Sequence, residues 1–246
     1  MKPIPITSLT LDLPFHPAEI KNFRGAVVEM VLKHKKVFDS ADIPTDLFHN
    51  HDESVWNNDE KKQTKEDYLI RYPLIQYRVH QKKAEIIGIG QAATAPELWL
   101  LLGGDEITFS KNTYPLKVDT IAKQKWSPSL NGRLGAYRIS NWLPLNGKNY
   151  ERWQNTSRLA DKVGLLDKAL WGHLLSFAEH FSIEIDKGKL ELFVSSIDMQ
   201  TFKTAYKVNL LAMDITFCTN LNLPDEIGLG QKVSLGFGKV QQIKKK

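Results

Sequence analysis

The sequence predicts an α+β chain made of two successive βαββαβ units, a tandem ferredoxin-like plan. Three observations carry this. Leu9, Leu11 and Leu13 alternate with Thr10 and Asp12, the period-two signature of a strand with one buried face. Ile20, Phe23, Val27, Met30 and Val31 then recur at three- and four-residue spacing, the stripe of a helix laid on a sheet. The same succession of strand-like and helix-like patterning returns in the second half of the chain.

The first unit is expected over residues 1–110. After the opening strand, Pro17 and Glu19 start the first helix, because proline is tolerated in a first turn and an acid favours the positive helix end. Tyr68 to Val79 is rich in aromatic and branched side chains, and Ala84 to Ile89 is a second apolar run, so the two read as a hairpin. Pro96 lies early in a second helix carrying Leu98, Trp99, Leu100 and Leu101. Ile107 to Phe109 is expected to return as the fourth strand.

Residues 111–246 repeat the order with insertions. Strands are expected over Leu116 to Ala122 and Ala136 to Leu143. A helix from about Gly164 to Phe181 would bury Leu166, Leu170, Leu174, Phe177 and Phe181. Ile183 and Ile185 face Leu190, Leu192 and Val194 across Asp186-Lys187-Gly188-Lys189, which reads as a hairpin. Tyr206, Val208 and Leu210 have one parity and Leu211, Met213, Ile215 and Phe217 the other, so a bulge is expected at the switch.

Composition narrows the classes of function. Hydrophobic content of 42% and charged content of 25% are those of an ordinary globular domain, and no apolar run is long enough to span a bilayer. A single cysteine, Cys218, excludes an internal disulfide and a cysteine-based zinc cluster, and fits a reducing, cytoplasmic setting. The net charge of +5, with lysines clustered at 33–36, 61–65, 82–83 and 244–246, favours a polyanionic partner.

Near the end of the chain, Ile227-Gly228-Leu229-Gly230-Gln231-Lys232-Val233-Ser234-Leu235-Gly236-Phe237-Gly238-Lys239-Val240 sets two Gly-x-Gly pairs around a basic, hydroxylated centre. Glycine can take positive φ and bring its N–H against an anion, and lysine offsets phosphate charge. This pattern resembles the glycine-rich loop that closes the RAMP superfamily proteins, above all the CRISPR RNA endoribonucleases of the Cas six family. The resemblance implies two RRM-like ferredoxin domains and CRISPR repeat RNA, precursor and mature guide, as partner. It assigns RNA contact to Gly228, Gly230, Lys232, Ser234, Gly236, Gly238 and Lys239 in a mobile loop.

Leu47-Phe48-His49-Asn50-His51-Asp52 sets two imidazoles two residues apart after the first helix. An imidazole with pKa near 6.5 can take or give a proton at cellular pH. RNA brings its own 2′-hydroxyl nucleophile, so a base, an acid and cations suffice, with no metal or cofactor. The resemblance implies a catalytic histidine near the first helix, which His49 and His51 match by position; which is base and which acid is left open. His34 is the reserve, although its place on the apolar stripe favours packing.

Three other readings stand beside this one. The His49 loop could be solvated and inert, or could ligate a metal through His49, His51 and Asp52, for which no further ligand is visible. Ile87-Gly88-Ile89-Gly90-Gln91-Ala92-Ala93 imitates a dinucleotide turn but follows a hairpin, so Gly88 and Gly90 are expected to permit close strand-to-helix packing. Unpaired bases would stack on Trp56, Tyr77, Trp126 or Tyr137 if these are exposed. The alternative function is a non-catalytic RAMP subunit that binds guide RNA beside other CRISPR effector subunits.

Overall fold

A computed structural model describes residues 2–49, 72–205 and 208–244. The chain divides into two compact units. One comprises Ile4–Lys125 with Ser234–Gly236, and the other comprises Met1–Pro3, Trp126–Val233 and Phe237–Lys246.

In the first unit, strand β1 (Ile4–Pro14) leads to helices α1 (Ile20–Lys33) and α2 (Lys35–Ser40). Strands β2 (Ile75–His80) and β3 (Lys83–Ile89), helix α3 (Ala95–Leu102) and strands β4 (Glu106–Phe109), β5 (Asn112–Pro115) and β6 (Val118–Trp126) follow. The sheet order β2-β3-β1-β6 is the antiparallel arrangement of a ferredoxin-like domain, with β6 as the fourth strand.

That placement corrects the expected fourth strand. Ile107 to Phe109 is extended, but it pairs with β5 in a separate hairpin, Ile107 opposite Tyr114 and Phe109 opposite Asn112. Ser110 and Lys111 make the turn, both at positive φ. The expected boundary at Ser110 therefore falls on a hairpin tip, and the first unit continues to Lys125. Lys83 on β3 reaches Asp12 on β1 at 3.1 Å and Asp119 on β6 at 2.6 Å, so one ammonium ties three adjacent strands.

α1 buries Ile20, Phe23, Val27, Val28 and Val31, close to the stripe read from the sequence. Phe23 is the hub of an aromatic core. It meets Phe15, Phe109, Tyr77 and Trp99 edge-on at centroid distances from 5.1 to 6.4 Å. The β2–β3 hairpin forms as expected, turning through Gln81 and Lys82 at φ of 48° and 64°. At Gly88 a side chain would place its Cβ 2.1 Å from the Ala92 carbonyl oxygen and 2.8 Å from Pro96, which fits the strand-to-helix packing expected there.

The second unit contains β7 (Leu130–Trp142), α4 (Gly147–Asn155), α5 (Leu159–His180), β8 (Leu192–Ala205), β9 (Val208–Leu221) and β10 (Lys239–Gln242). Its sheet order, β10-β7-β9-β8, repeats that of the first unit. α5 buries Leu166, Leu170, Leu174 and Phe177, and Phe177 packs on Trp126 at 5.2 Å. Among the described residues, the segment between β9 and β10 carries no α-helix. The glycine-rich stretch, with one 3-10 turn at Val233–Leu235, takes the place of the second helix.

Two further expectations are corrected here. The Asp186–Lys189 turn exists, but it closes no hairpin. Ile183 donates its N–H to the Ala178 carbonyl and finishes α5, while β8 starts at Leu192 and pairs with β9. The expected bulge at residues 210–211 is also absent, because pairing runs in continuous register from Met199↔Asp214 to Ala205↔Val208. Register breaks instead lie in β8 around Val194–Met199 and in β7 between Ile139 and Trp142. In β7, Asn141 takes φ of 51°, and the Asp214 carboxylate accepts its N–H at 2.7 Å.

Candidate nucleic-acid interface

The glycine-rich segment is packed into the fold, which corrects the expectation of a mobile loop. Ile227 and Leu229 are fully buried. Glu226 to Leu229 runs against Gly238 to Val240, with Glu226 N–H on Val240, Val240 N–H on Ile227 and Leu229 N–H on Gly238, all near 2.8–2.9 Å. The Gly238 N–H donates to the Asn141 carbonyl at 3.2 Å. These N–H groups are occupied by the protein's own acceptors.

The four glycines are required sterically. A Cβ at Gly228 would lie 2.2 Å from Val233 Cγ1, at Gly230 2.8 Å from the Trp142 indole, and at Gly238 1.9 Å from the Leu229 carbonyl oxygen. Gly236, at φ +80°, backs onto the Tyr77 carbonyl at 3.0 Å. Positive φ at Gly230, Gly236 and Gly238 adds the left-handed conformations that glycine adopts at little cost.

The two lysines of the motif sit in different surroundings. Lys239 pairs with Glu226, and both are largely buried. Lys232 is half-buried at φ 54°, and its desolvation lowers the ammonium pKa. Ser234 sits, partly exposed, in the 3-10 turn. Three of the proposed stacking aromatics belong to the core: Tyr77, Trp126 and Tyr137 are 0%, 4% and 2% exposed. Trp56 lies outside the described residues.

His49 follows a 3-10 turn, Thr45–Phe48, and is 3% exposed. Its N–H donates to the Asp46 carbonyl at 3.3 Å. His51 and Asp52 lie outside the described residues, so the structure does not place the pair together. His34 ends α1, half-buried. His16 caps the turn before α1: its Nδ1 accepts from Ala18 N–H while the Glu19 carboxylate accepts from His16 N–H, a reciprocal capping box. His173 is half-buried beside Trp142, and desolvation lowers its pKa to about 4.

Sequence reasoning missed a basic concavity at the α4–α5 corner, lined by Arg152, Arg158 and Lys168. No spacing signal announced it, because the three cations come from two helices and their junction.

Two units, each with a four-stranded sheet of order 2-3-1-4 and the second with a glycine-rich segment in place of its second helix, define a tandem ferredoxin-like protein. Models of the Cas6b N-terminal domain and the Cas6b C-terminal domain match residues 2–127 and 129–243, so the chain belongs to the Cas6b family. An uncharacterized protein of Methanocaldococcus jannaschii is 32% identical over 106 residues, which is 43% of this chain and 69% of that protein. Among solved structures, a crystal structure of Cas6b superposes with a TM-score of 0.75 at 22% identity, covering 97% of this chain and 100% of that one. A CRISPR RNA processing endoribonuclease Cas6b gives 0.68 at 18% identity, covering 98% and 100%. Csf5, a type IV Cas6 crRNA endonuclease, gives 0.57 at 14% identity with the same coverage. Among the described residues, no helix is long and apolar enough to cross a membrane.

Proposed function

We propose that this chain cuts CRISPR repeat RNA by metal-independent attack of a 2′-hydroxyl on the adjacent phosphate. The chain is an endoribonuclease of CRISPR RNA processing, and the observation that carries this is the match of both Cas6b domain families across nearly its whole length. In the proposed step, a base removes the 2′-hydroxyl proton as O2′ bonds to phosphorus. The P–O5′ bond breaks, and an acid protonates the departing O5′. Products are a 2′,3′-cyclic phosphate and a 5′-hydroxyl, with cations offsetting charge on the phosphorane.

The imidazoles at positions 49 and 51 are the proposed proton carriers. In the described conformation His49 is shielded from solvent, so the two must be separated by experiment. The expected result is cleavage of repeat RNA that persists in chelator and stops with a single 2′-deoxy substitution upstream of the cut. His49→Ala and His51→Ala, made singly, report which imidazole acts: loss of a general acid or base lowers the single-turnover rate by about 10²–10⁴ while RNA binding is retained. Cleavage of the deoxy substrate at the normal rate overturns the mechanism. Unaltered cleavage by both variants overturns the histidine assignment.

A further inference from the structure

We propose that the α4–α5 corner is a binding surface for the phosphodiester backbone of the repeat RNA, formed by Arg152, Arg158 and Lys168. The identity of the anion as repeat RNA rests on the function proposed above. The basic surface itself rests on the geometry of the corner.

A concavity of about 490 Å³ opens where α4 ends at Asn155 and the chain crosses to α5. Arg152 stands in the last turn of α4, Arg158 is the N-cap of α5, and Lys168 lies further along α5. Positions 158, 161, 165 and 168 follow three- and four-residue spacing, which places Arg158 and Lys168 on one helix face. All three cations are exposed.

What sets them apart is that they line one concavity together. Among the described residues, Lys83, Lys123, Arg138 and Lys239 are held by carboxylates. Among the described residues, Arg152, Arg158 and Lys168 make no ion pair, and Asp161, the one carboxylate in the lining, binds none of them. With three cations and one carboxylate in its lining, the concavity carries net positive charge, which a bound polyanion offsets. Asn155 and Ser157 add neutral donors of the kind that meet phosphate and sugar oxygens.

The backbone beneath is held in place. Trp153 is 5% exposed and lies under the Lys162 ammonium at 5.0 Å, which joins α4 to α5. The Thr156 hydroxyl donates to the Arg152 carbonyl at 2.8 Å. The cations are therefore presented from a fixed scaffold. Arg158 and Lys168 are ten positions apart, about 15 Å along the helix axis, a span suited to a run of phosphates more than to a single one. Arginine's planar fork also meets phosphate oxygens in pairs.

The test is equilibrium binding of fluorescent repeat RNA by the full chain over a series of salt concentrations, comparing wild type with the Arg152→Ala/Arg158→Ala/Lys168→Ala variant. At about 0.7 per neutralised phosphate on a single strand, losing three contacts lowers the slope of log K against log salt by about 2. The expected variant also has a raised KM and an unchanged single-turnover rate at saturating RNA. Arg158→Glu alone should weaken binding further than Arg158→Ala. Matching far-ultraviolet spectra and denaturation midpoints establish that the variants fold.

If wild type binds and cuts repeat RNA and the triple variant keeps its salt slope, the surface assignment fails while the function stands. If wild type neither binds nor cuts any repeat RNA, the functional reading itself fails. If inorganic phosphate saturates the corner, and the triple variant abolishes that binding without changing the RNA slope, the corner is a small-anion site and the proposal is overturned.

Discussion

Trp142 donates its indole N–H to Nδ1 of His173 across 3.2 Å, joining β7 to α5, and the two rings meet edge-on at 5.8 Å. The same indole lies against Gly230 of the glycine-rich segment. The bond requires a neutral imidazole with a free Nδ1 lone pair.

The first prediction follows from that requirement. Burial lowers the His173 pKa from 6.5 to about 4 in the folded state, so between these values the unfolded chain binds the extra proton. The stabilisation is fully present above about pH 6.5 and is lost as pH falls toward about 4, a contribution on the order of 3 kcal/mol. His173→Asn keeps an acceptor near Nδ1 but does not titrate. Urea midpoints measured between about pH 7 and pH 4.5 should fall more steeply for wild type than for the variant; parallel curves would show that the imidazole is not desolvated.

A buried ion pair supplies the second. Arg78 on β2 stands directly opposite Glu85 on β3, with Nε–Oε2 at 3.6 Å and both side chains about 5% exposed. Arg78 also donates to Gln76 Oε1 at 2.8 Å. Removing one partner leaves an uncompensated charge, so Glu85→Leu or Arg78→Met alone should cost about 3–5 kcal/mol. The double variant should recover most of that loss or exceed wild type, since two apolar groups avoid the desolvation penalty. Additive single-variant losses in denaturant titrations would count against this account.

What the sequence disclosed, and what it concealed, divides along local and non-local physics. The α1 stripe and the β2–β3 hairpin were legible because periodicity and short range define them; Phe23 and Val27 are fully buried as the spacing required. The fourth strand was not, because Ile107 and Phe109 alternate as well in a satellite hairpin as in a sheet, and Ser110-Lys111 is not a typical positive-φ turn sequence. Ile183 carries the same apolar signal whether it pairs as a strand or closes a helix end. At the candidate site, the glycines were visible but their role was not: Gly-x-Gly reports a close approach without saying whether a phosphate or the Trp142 ring is what approaches. The basic corner left no signal, since Arg152, Arg158 and Lys168 converge only once α4 and α5 pack.

The turn at Gln81-Lys82 yields the third prediction. Both residues sit at positive φ in a two-residue connection, the geometry that asparagine and glycine adopt most readily. Gln81→Asn/Lys82→Gly should raise stability by roughly 0.5–1 kcal/mol, because the wild-type side chains carry left-handed strain that the replacements remove. The gain should appear as a higher urea midpoint at constant m-value. A lower midpoint would mean that the greater freedom of glycine in the unfolded chain outweighs the relief.

The fourth prediction contrasts two glycines that look alike in the sequence. Gly238, at φ +71°, would place a Cβ 1.9 Å from the Leu229 carbonyl oxygen, and the glycine-rich segment could accept it only by breaking the Leu229-to-Gly238 hydrogen bond. Gly172 lies inside α5 with nothing within 4 Å of an added Cβ. Gly238→Ala should therefore destabilise by roughly 2–4 kcal/mol, combining left-handed strain with the displaced carbonyl. Gly172→Ala should stabilise by about 0.5–1 kcal/mol through helix propensity. The opposite signs separate a packing glycine from a dispensable one. RNA binding adds a second measurement: if the segment contacts RNA in its packed form, Gly238→Ala should weaken binding under conditions where the protein remains folded, whereas Gly172→Ala should leave it unchanged. Equal RNA affinity for a folded Gly238→Ala variant would remove the glycine-rich segment from the interface and leave its four glycines with a purely architectural role.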